Sequence, residues 1–375
     1  THMLSGPYGA MLLTDLGAQT IKVEPPGRGE GTRALQAKDP KNSVHGMGSY
    51  FLTLNRGKKS VVLDLRTQSG TTALRTLIEK ADVFIHSMRA KAIAKLGFSY
   101  DEVAAINPAI VYTNCYGYRR GGPDADRPAY DDTIQAESGV ASVQQSMTGE
   151  PGYVGSVIAD KICGLTAVYA TMMALFHRER TGDGQEVEVS MFETMAAFML
   201  AEHANGAMFD PPLGPAAYPR AVAPNRRPLK TSDGYVSALI YNDKQWNAFV
   251  AAVQPEWATG PEFATLEQRA RHIDNVYALL GKTFVERTTQ EWLQLLQSLE
   301  IPAAAINSLD DLFDNPQLNA VGFFETVDSP TGRIRFPGVP TGFSQTPGSV
   351  AGPAPRLGAH TREVMDELGL TDDRE

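Results

Sequence analysis

Asp160 stands where the side-chain pattern changes from strand-like to helical. Residues 154–158 ahead of it read as a short β-branched run that ends abruptly. Behind it Ile162, Leu165, Tyr169, Met172 and Phe176 recur at spacings of three and four, the apolar stripe of a buried helix. His177, Arg178 and Arg180 crowd the last turn, where cations suit the helix dipole, and Gly182 and Gly184 stop it. A carboxylate at that handover can act in either of two ways. As a cap it accepts helix N–H bonds and contributes about 1 kcal/mol. As a nucleophile it uses the same N–H groups to stay ionised at neutral pH. The local pattern leaves both open.

The elements that must position this residue are strands and helices in alternation. Residues 21–24, 82–86, 110–114 and 185–190 read as strands. Between them lie helical patterns from Gly6-Pro7 to Leu16, over 71–80, near Ala92 and over 101–106. That alternation implies an α/β fold with a parallel sheet covered by helices on both faces. A proline-rich stretch over 211–228 reads as a linker. Beyond it a turn at Asp233-Gly234, a strand and a helix entered at Asn242-Asp243 open a different unit.

Composition narrows the function. A net charge of −9 argues against nucleic acid as a general partner, so a polyanionic ligand needs local cations. Arg56, Lys58, Lys59, Arg66, Arg89, Lys91 and Lys95 fall in connections assigned to the carboxyl ends of strands, where open α/β sheets bind ligands; the alternative is a solvated face. Cys115 and Cys163 are too few for a disulfide framework, which implies a reducing, cytoplasmic setting. The 7 histidines are scattered, so no metal site is expected. Gly27, Gly29 and Gly31 miss the dinucleotide spacing, and Pro25-Pro26 spoils the turn into a helix, so no nicotinamide cofactor is expected. No secretory leader is visible. The longest apolar run, 164–176, is short of the ~20 residues of a membrane span.

The run VGSVIADKICGL…ALFHRERTGDGQEVEVSMFE resembles the signature of the family III CoA-transferases, a group that includes the α-methylacyl-CoA racemases. Asp160, Gly164, Arg178, Thr181, Gly182, Gly184, Gln185 and Ser190 occupy its places. GPYGAMLLTDLGAQTIKVEPP and PRLGAHTREVMDELG are similar to the family's opening and closing pieces, so the resemblance covers essentially the whole chain. It implies a Rossmann-like large domain over 1–210, a linker over 211–228, a smaller α+β domain over 229–309, and a return segment over 310–375 that completes the large domain. It also implies a homodimer of interlocked chains.

By the same resemblance Asp160 is the nucleophile. Coenzyme A contacts fall on Leu63, Arg66, Ser87, Met88, Lys95 and Leu96. The family often has Asn-Phe-Arg-Pro-Gly where this chain has Ser87-Met88-Arg89-Ala90-Lys91, and of that motif Arg89 survives. Asp131 joins the coenzyme contacts or, with Asp132, caps the helix that follows. Racemases of the superfamily carry histidine at Tyr130; a phenol with a pKa near 10 is a poor proton shuttle, which favours transfer. The implied reaction moves CoA from an acyl-CoA to a carboxylic acid through an aspartyl-CoA thioester. Coenzyme A enters as substrate, with no tightly bound cofactor. The alternatives are an acyl-CoA racemase or epimerase, a thioester hydrolase, and a non-catalytic CoA-binding protein.

Overall fold

The computed structural model describes residues 1–44, 46–329 and 332–370. The chain packs as two compact units. The first comprises 1–138, 155–197 and the chain from Pro316 on; the second comprises 139–154 and 198–315. These bounds follow packing, whereas the sequence-based bounds at 210 and 228 follow the proline-rich stretch and the bound at 309 follows the resemblance.

In the first unit, α1 (Ser5–Asp15) leads to β1 (Ile21–Glu24), α2 (Ser49–Leu54) and β2 (Lys59–Val62). Next come α3 (Gln68–Lys80), β3 (Val83–His86), α4 (Ala90–Lys95), α5 (Tyr100–Ile106), β4 (Val111–Tyr116) and α6 (Asp131–Glu137). Then follow α7 (Ile158–Thr181), β5 (Gln185–Ser190), the hairpin β6 (Phe324–Ser329) and β7 (Gly332–Pro337), and α8 (Thr361–Glu367). β1 pairs in parallel with β2, and β4 lies between β3 and β5 in a parallel three-stranded sheet. The register Val83↔Val111↔Gln185 brings the strands' carboxyl ends to one edge, where Ser87–Arg89 emerge. Val61, Leu74, Ile78, Phe98, Val103 and Tyr112 form the core beneath it.

Two sequence expectations are corrected. Residues 154–158 form no strand: the chain bends there and α7 begins at Ile158, so Asp160 is its third residue. The large apolar side chains of α7 also point the other way. Leu165, Tyr169, Met172 and Phe176 are exposed, while Ala159, Cys163, Gly164, Ala167, Thr171 and Ala174 are buried. The helix packs by its small-residue face because only small side chains let it lie close to α1 and the sheet. Gly182 ends it with φ +83, and its N–H donates to Arg178 O at 2.7 Å. By length and composition alone α7 is long and apolar enough to cross a membrane, which the 164–176 run did not suggest. The polar residues flanking that run do not offset its apolar mean.

The second unit is α+β. Strands Leu229–Lys230, Tyr235–Ala238 and Ala303–Ala305 make an antiparallel sheet with Tyr235–Ala238 in the middle. Helix Asp243–Val253 opens on an Asn242–Gln245 capping box and Thr289–Ser298 on a Thr288–Glu291 box. Trp246, Phe249, Phe284 and Trp292 fill its core.

Candidate active site

The site is built where α1 and α7 begin. A Cβ on Gly9 would stand 2.9 Å from Gly164 O, and one on Gly164 would stand 2.7 Å from Ser5 O, so both positions admit only hydrogen. Buried cations fix α1 at both ends. Lys58 Nζ donates to Pro7 O at 2.9 Å, and the Arg56 guanidinium donates to Asp15 Oδ1 and Oδ2 at 3.2 and 3.1 Å from Nε. Arg56 and Lys58 are therefore structural, and Lys59 pairs with Glu363 at 2.7 Å. All three sit at the amino end of β2, not at a carboxyl end, which corrects their placement with ligand-binding cations.

Asp160 is half-buried in the first turn of α7. The buried Ser5 hydroxyl donates to its Oδ1. Its backbone N–H, one of the unpaired donors of a helix start, donates to Asp131 Oδ1 at 3.0 Å. Asp131 Oδ2 accepts from Gln135 Nε2 at 2.6 Å, and that amide also reaches Ser156 O at 3.2 Å. The helix start is thus tied down by Asp131. The Asp160 side chain is spent on no N–H of its own helix among the described residues.

Burial raises the Asp160 pKa above the ordinary aspartate value, and the Asp131 charge raises it further; the Ser5 hydroxyl and N–H act against both. Tyr50, from α2, senses the same charges. Burial first, then Asp160, Glu30 and Asp131, push its phenol up to about 12. Cys163, one turn beyond Asp160, is buried against Cys115. That contact, burial and the Asp160 charge push its thiol up, so it stays protonated beside the carboxylate.

Tyr130 precedes α6, and its backbone N–H and C=O are both held by Thr133 Oγ1, at 3.0 and 2.7 Å. Its ring is 66% exposed and its phenol makes no hydrogen bond among the described residues. Leu63, Met88 and Leu96 come together in one apolar cluster, with Leu63 buried. Ser87 Oγ meets His2 Nδ1 at 3.1 Å, tying the end of β3 to the segment that leads into Ser5. Arg66 projects into solvent with its fork on Asp64, at 2.9 and 2.8 Å. Arg89 Nη1 reaches Asp126 O at 3.4 Å, and Lys91 pairs with Asp126. Lys95 is exposed and makes no ion pair among the described residues. Among those residues no group of three or more His, Cys, Asp or Glu side chains could hold a metal ion.

Sequence reasoning passed over Ser5 and Tyr50. A serine beside Gly6-Pro7 reads as an ordinary helix start, and its partner lies 155 residues away. Tyr50 sits in an apolar run that reads as core.

Taken as a whole, the chain is similar to known proteins. The profile of CoA-transferase family III matches residues 1–361. The succinate–glutarate CoA-transferase of Agrobacterium fabrum is 31% identical over 98% of this chain and 93% of its own. The acetyl-CoA:oxalate CoA-transferase of Acetobacter aceti is 32% identical over 92% of this chain and 87% of its own. The crystal structure of a CAIB/BAIF family protein from Brucella suis superposes with a TM-score of 0.81, at 31% identity over 98% of this chain and 96% of that one. With the family profile matched over residues 1–361 and the fold shared over nearly the whole chain, the chain belongs to CoA-transferase family III.

Proposed function

We propose that this acyl-CoA:carboxylate CoA-transferase works through a covalent intermediate on Asp160. The observation that carries the reading is the divided labour at the start of α7: Asp131 takes the helix N–H, and among the described residues the Asp160 carboxylate is hydrogen-bonded from Ser5 of α1. A carboxylate acceptor cannot readily displace a thiolate directly, so the reaction is split. Asp160 attacks the donor thioester, giving a mixed anhydride and CoA thiolate. The thiolate attacks the aspartyl carbon, freeing the donor acid and leaving an aspartyl-CoA thioester. The acceptor acid then runs the sequence backwards. One thioester is exchanged for another, and water must be excluded or the activation is lost.

Tyr130 is assigned a hydrogen bond to the thioester or anhydride oxygen, which its exposed phenol is free to make. Leu63, Met88 and Leu96 form the apolar floor for the coenzyme, with Ser87 beside it. Arg66, Arg89 and Lys95 supply charge for its phosphates, and Asp131 acts on the coenzyme side by fixing the helix that carries Asp160. The acceptors named for relatives, glutarate and oxalate, make a small dicarboxylic acid the first class to try. The parallel sheet is consistent with a Rossmann-like large domain. The exposed apolar face of α7 supports a homodimer, interlocked as in the family. Two buried free cysteines suit a reducing, cytoplasmic setting.

The test is trapping. Acyl-CoA alone should load Asp160, hydroxylamine should convert the adduct to a hydroxamate, and borohydride should reduce the thioester to an alcohol. Each changes the mass of the peptide carrying residue 160. Label found on another residue, with Asp160 clean in a single turnover, sinks the mechanism. Rapid exchange of the α-proton without any adduct would instead restore the racemase.

A further inference from the structure

We infer that Ser5 is a positioning residue of the transfer: its hydroxyl fixes Asp160 Oδ1, leaves Oδ2 to attack, and steadies the charge that gathers on Oδ1 when the thiolate adds to Cγ. The inference rests on the reading of Asp160 as nucleophile. A free carboxylate swings about its Cβ–Cγ bond, whereas a nucleophile needs one oxygen aimed at the carbonyl carbon. Ser5 is buried, and its backbone is locked by the contact of its carbonyl with Gly164. Among the described residues this hydroxyl donates to Asp160 and to no group of its own helix.

The chemistry needs that donor at Oδ1 throughout. Oδ2 gives a lone pair to the thioester carbonyl carbon, the C–S bond breaks, and its electrons leave with the thiolate. The thiolate next bonds to Cγ, and the pair of the Cγ–Oδ1 double bond moves onto Oδ1. On collapse the donor acid departs as a carboxylate carrying Oδ2. Ser5 keeps its proton and donates to Oδ1 at each stage, most strongly when the charge is largest. The other groups facing Asp160 serve less well. Asp131, from α6, is itself an anion; Cys163, on α7, is engaged with Cys115 and with the Ser5 side chain itself; Tyr50, from α2, is sensed only through charge.

The experiment compares Ser5→Ala, Ser5→Thr and Asp160→Asn in the full chain. Ser5→Ala should lower kcat by about 10- to 100-fold while the KM for acyl-CoA changes about threefold or less. The acid limb of its kcat/KM profile should move to higher pH, because the lost bond held the carboxyl pKa down against burial and Asp131. The kcat deficit should persist at alkaline pH, where Asp160 is ionised in either enzyme. Ser5→Thr, which keeps the hydroxyl, should recover most of the rate. A Ser5→Ala enzyme with wild-type kcat and an unmoved acid limb, beside a dead Asp160→Asn, overturns the role of Ser5 alone. An active Asp160→Asn overturns the nucleophile and Ser5 together.

Discussion

Gly9 and Gly164 meet backbone to backbone, so that a Cβ on Gly9 would stand 2.9 Å from Gly164 O. This seam brings the first residue of α1 against the first turn of α7, and so places Ser5 on Asp160. Gly164→Ala tests it. Alanine gains about 1 kcal/mol of helix propensity in a helix interior. Its methyl group would sit 2.7 Å from Ser5 O, and backbone cannot swing aside, so an overpacking cost of about 1–3 kcal/mol outweighs the gain. The variant should melt lower and lose kcat together, read by calorimetry and steady-state rates. Normal turnover in a destabilised variant would show that the seam does not set the site.

Asp160→Asn should separate charge from shape. Burial and Asp131 raise the folded-state pKa of Asp160, so protonation is favoured in the folded protein. That contribution is fully present below the unfolded pKa and is lost as pH rises through the folded one. At neutral pH the ionised carboxylate therefore costs stability. Asparagine removes the charge and keeps an acceptor for Ser5. Its Tm at pH 7 should rise by on the order of 1–3 °C, and the gap should close on acidification. Transfer should fall by about 10³-fold or more. A lowered Tm would mean instead that the charge braces the helix start.

The cations proposed to hold the coenzyme should not be equivalent. Arg66 already spends its fork on Asp64, whose carboxyl is held down to about 2, so that pair stays ionised at any working pH. Lys95 has no such partner among the described residues. Lys95→Ala should raise the KM for acyl-CoA by about fivefold or more, and Arg66→Ala by about twofold. Raising salt should shrink the Lys95 effect, since the contact is mainly charge. Equal effects from both variants would mean that the substrate pulls Arg66 off Asp64.

Much of this was legible in the residues. The strands Ile21–Glu24 and Gln185–Ser190, the stop at Gly182 and the caps at Asn242 announce themselves through local chemistry. What was not legible depends on a neighbour far along the chain. The stripe Leu165, Tyr169, Met172, Phe176 has helical period, but period does not say which face the same chain covers. The small face won because α1 comes close enough to need it. Residues 154–158 have strand composition, yet the chain bends there and Ile158 opens α7 instead. The cap of α7 comes from Asp131, 29 residues upstream, and the partner of Asp160 from 155 residues upstream.

The uncovered face of α7 gives the last prediction. Leu165, Tyr169, Met172, Met173 and Phe176 lie exposed along one helix, with Met173 at 64%. Fully burying each such side chain is worth about 1.5–3 kcal/mol, so leaving five in water along one helix is costly. A second copy of the chain is the proposed cover. Sedimentation should show a dimer, and an interlocked pair should stay dimeric on dilution, because parting the chains requires opening one of them. Tyr169→Glu with Met173→Glu should break or prevent the dimer while leaving the buried small-residue face untouched. A dimer that dissociates in the micromolar range without unfolding would exclude interlocking and keep the interface. A monomer that floats with neutral lipid vesicles, and stops doing so in the double variant, would assign the face to a membrane instead. That result would fit the length and composition of α7 and remove the second copy from this surface.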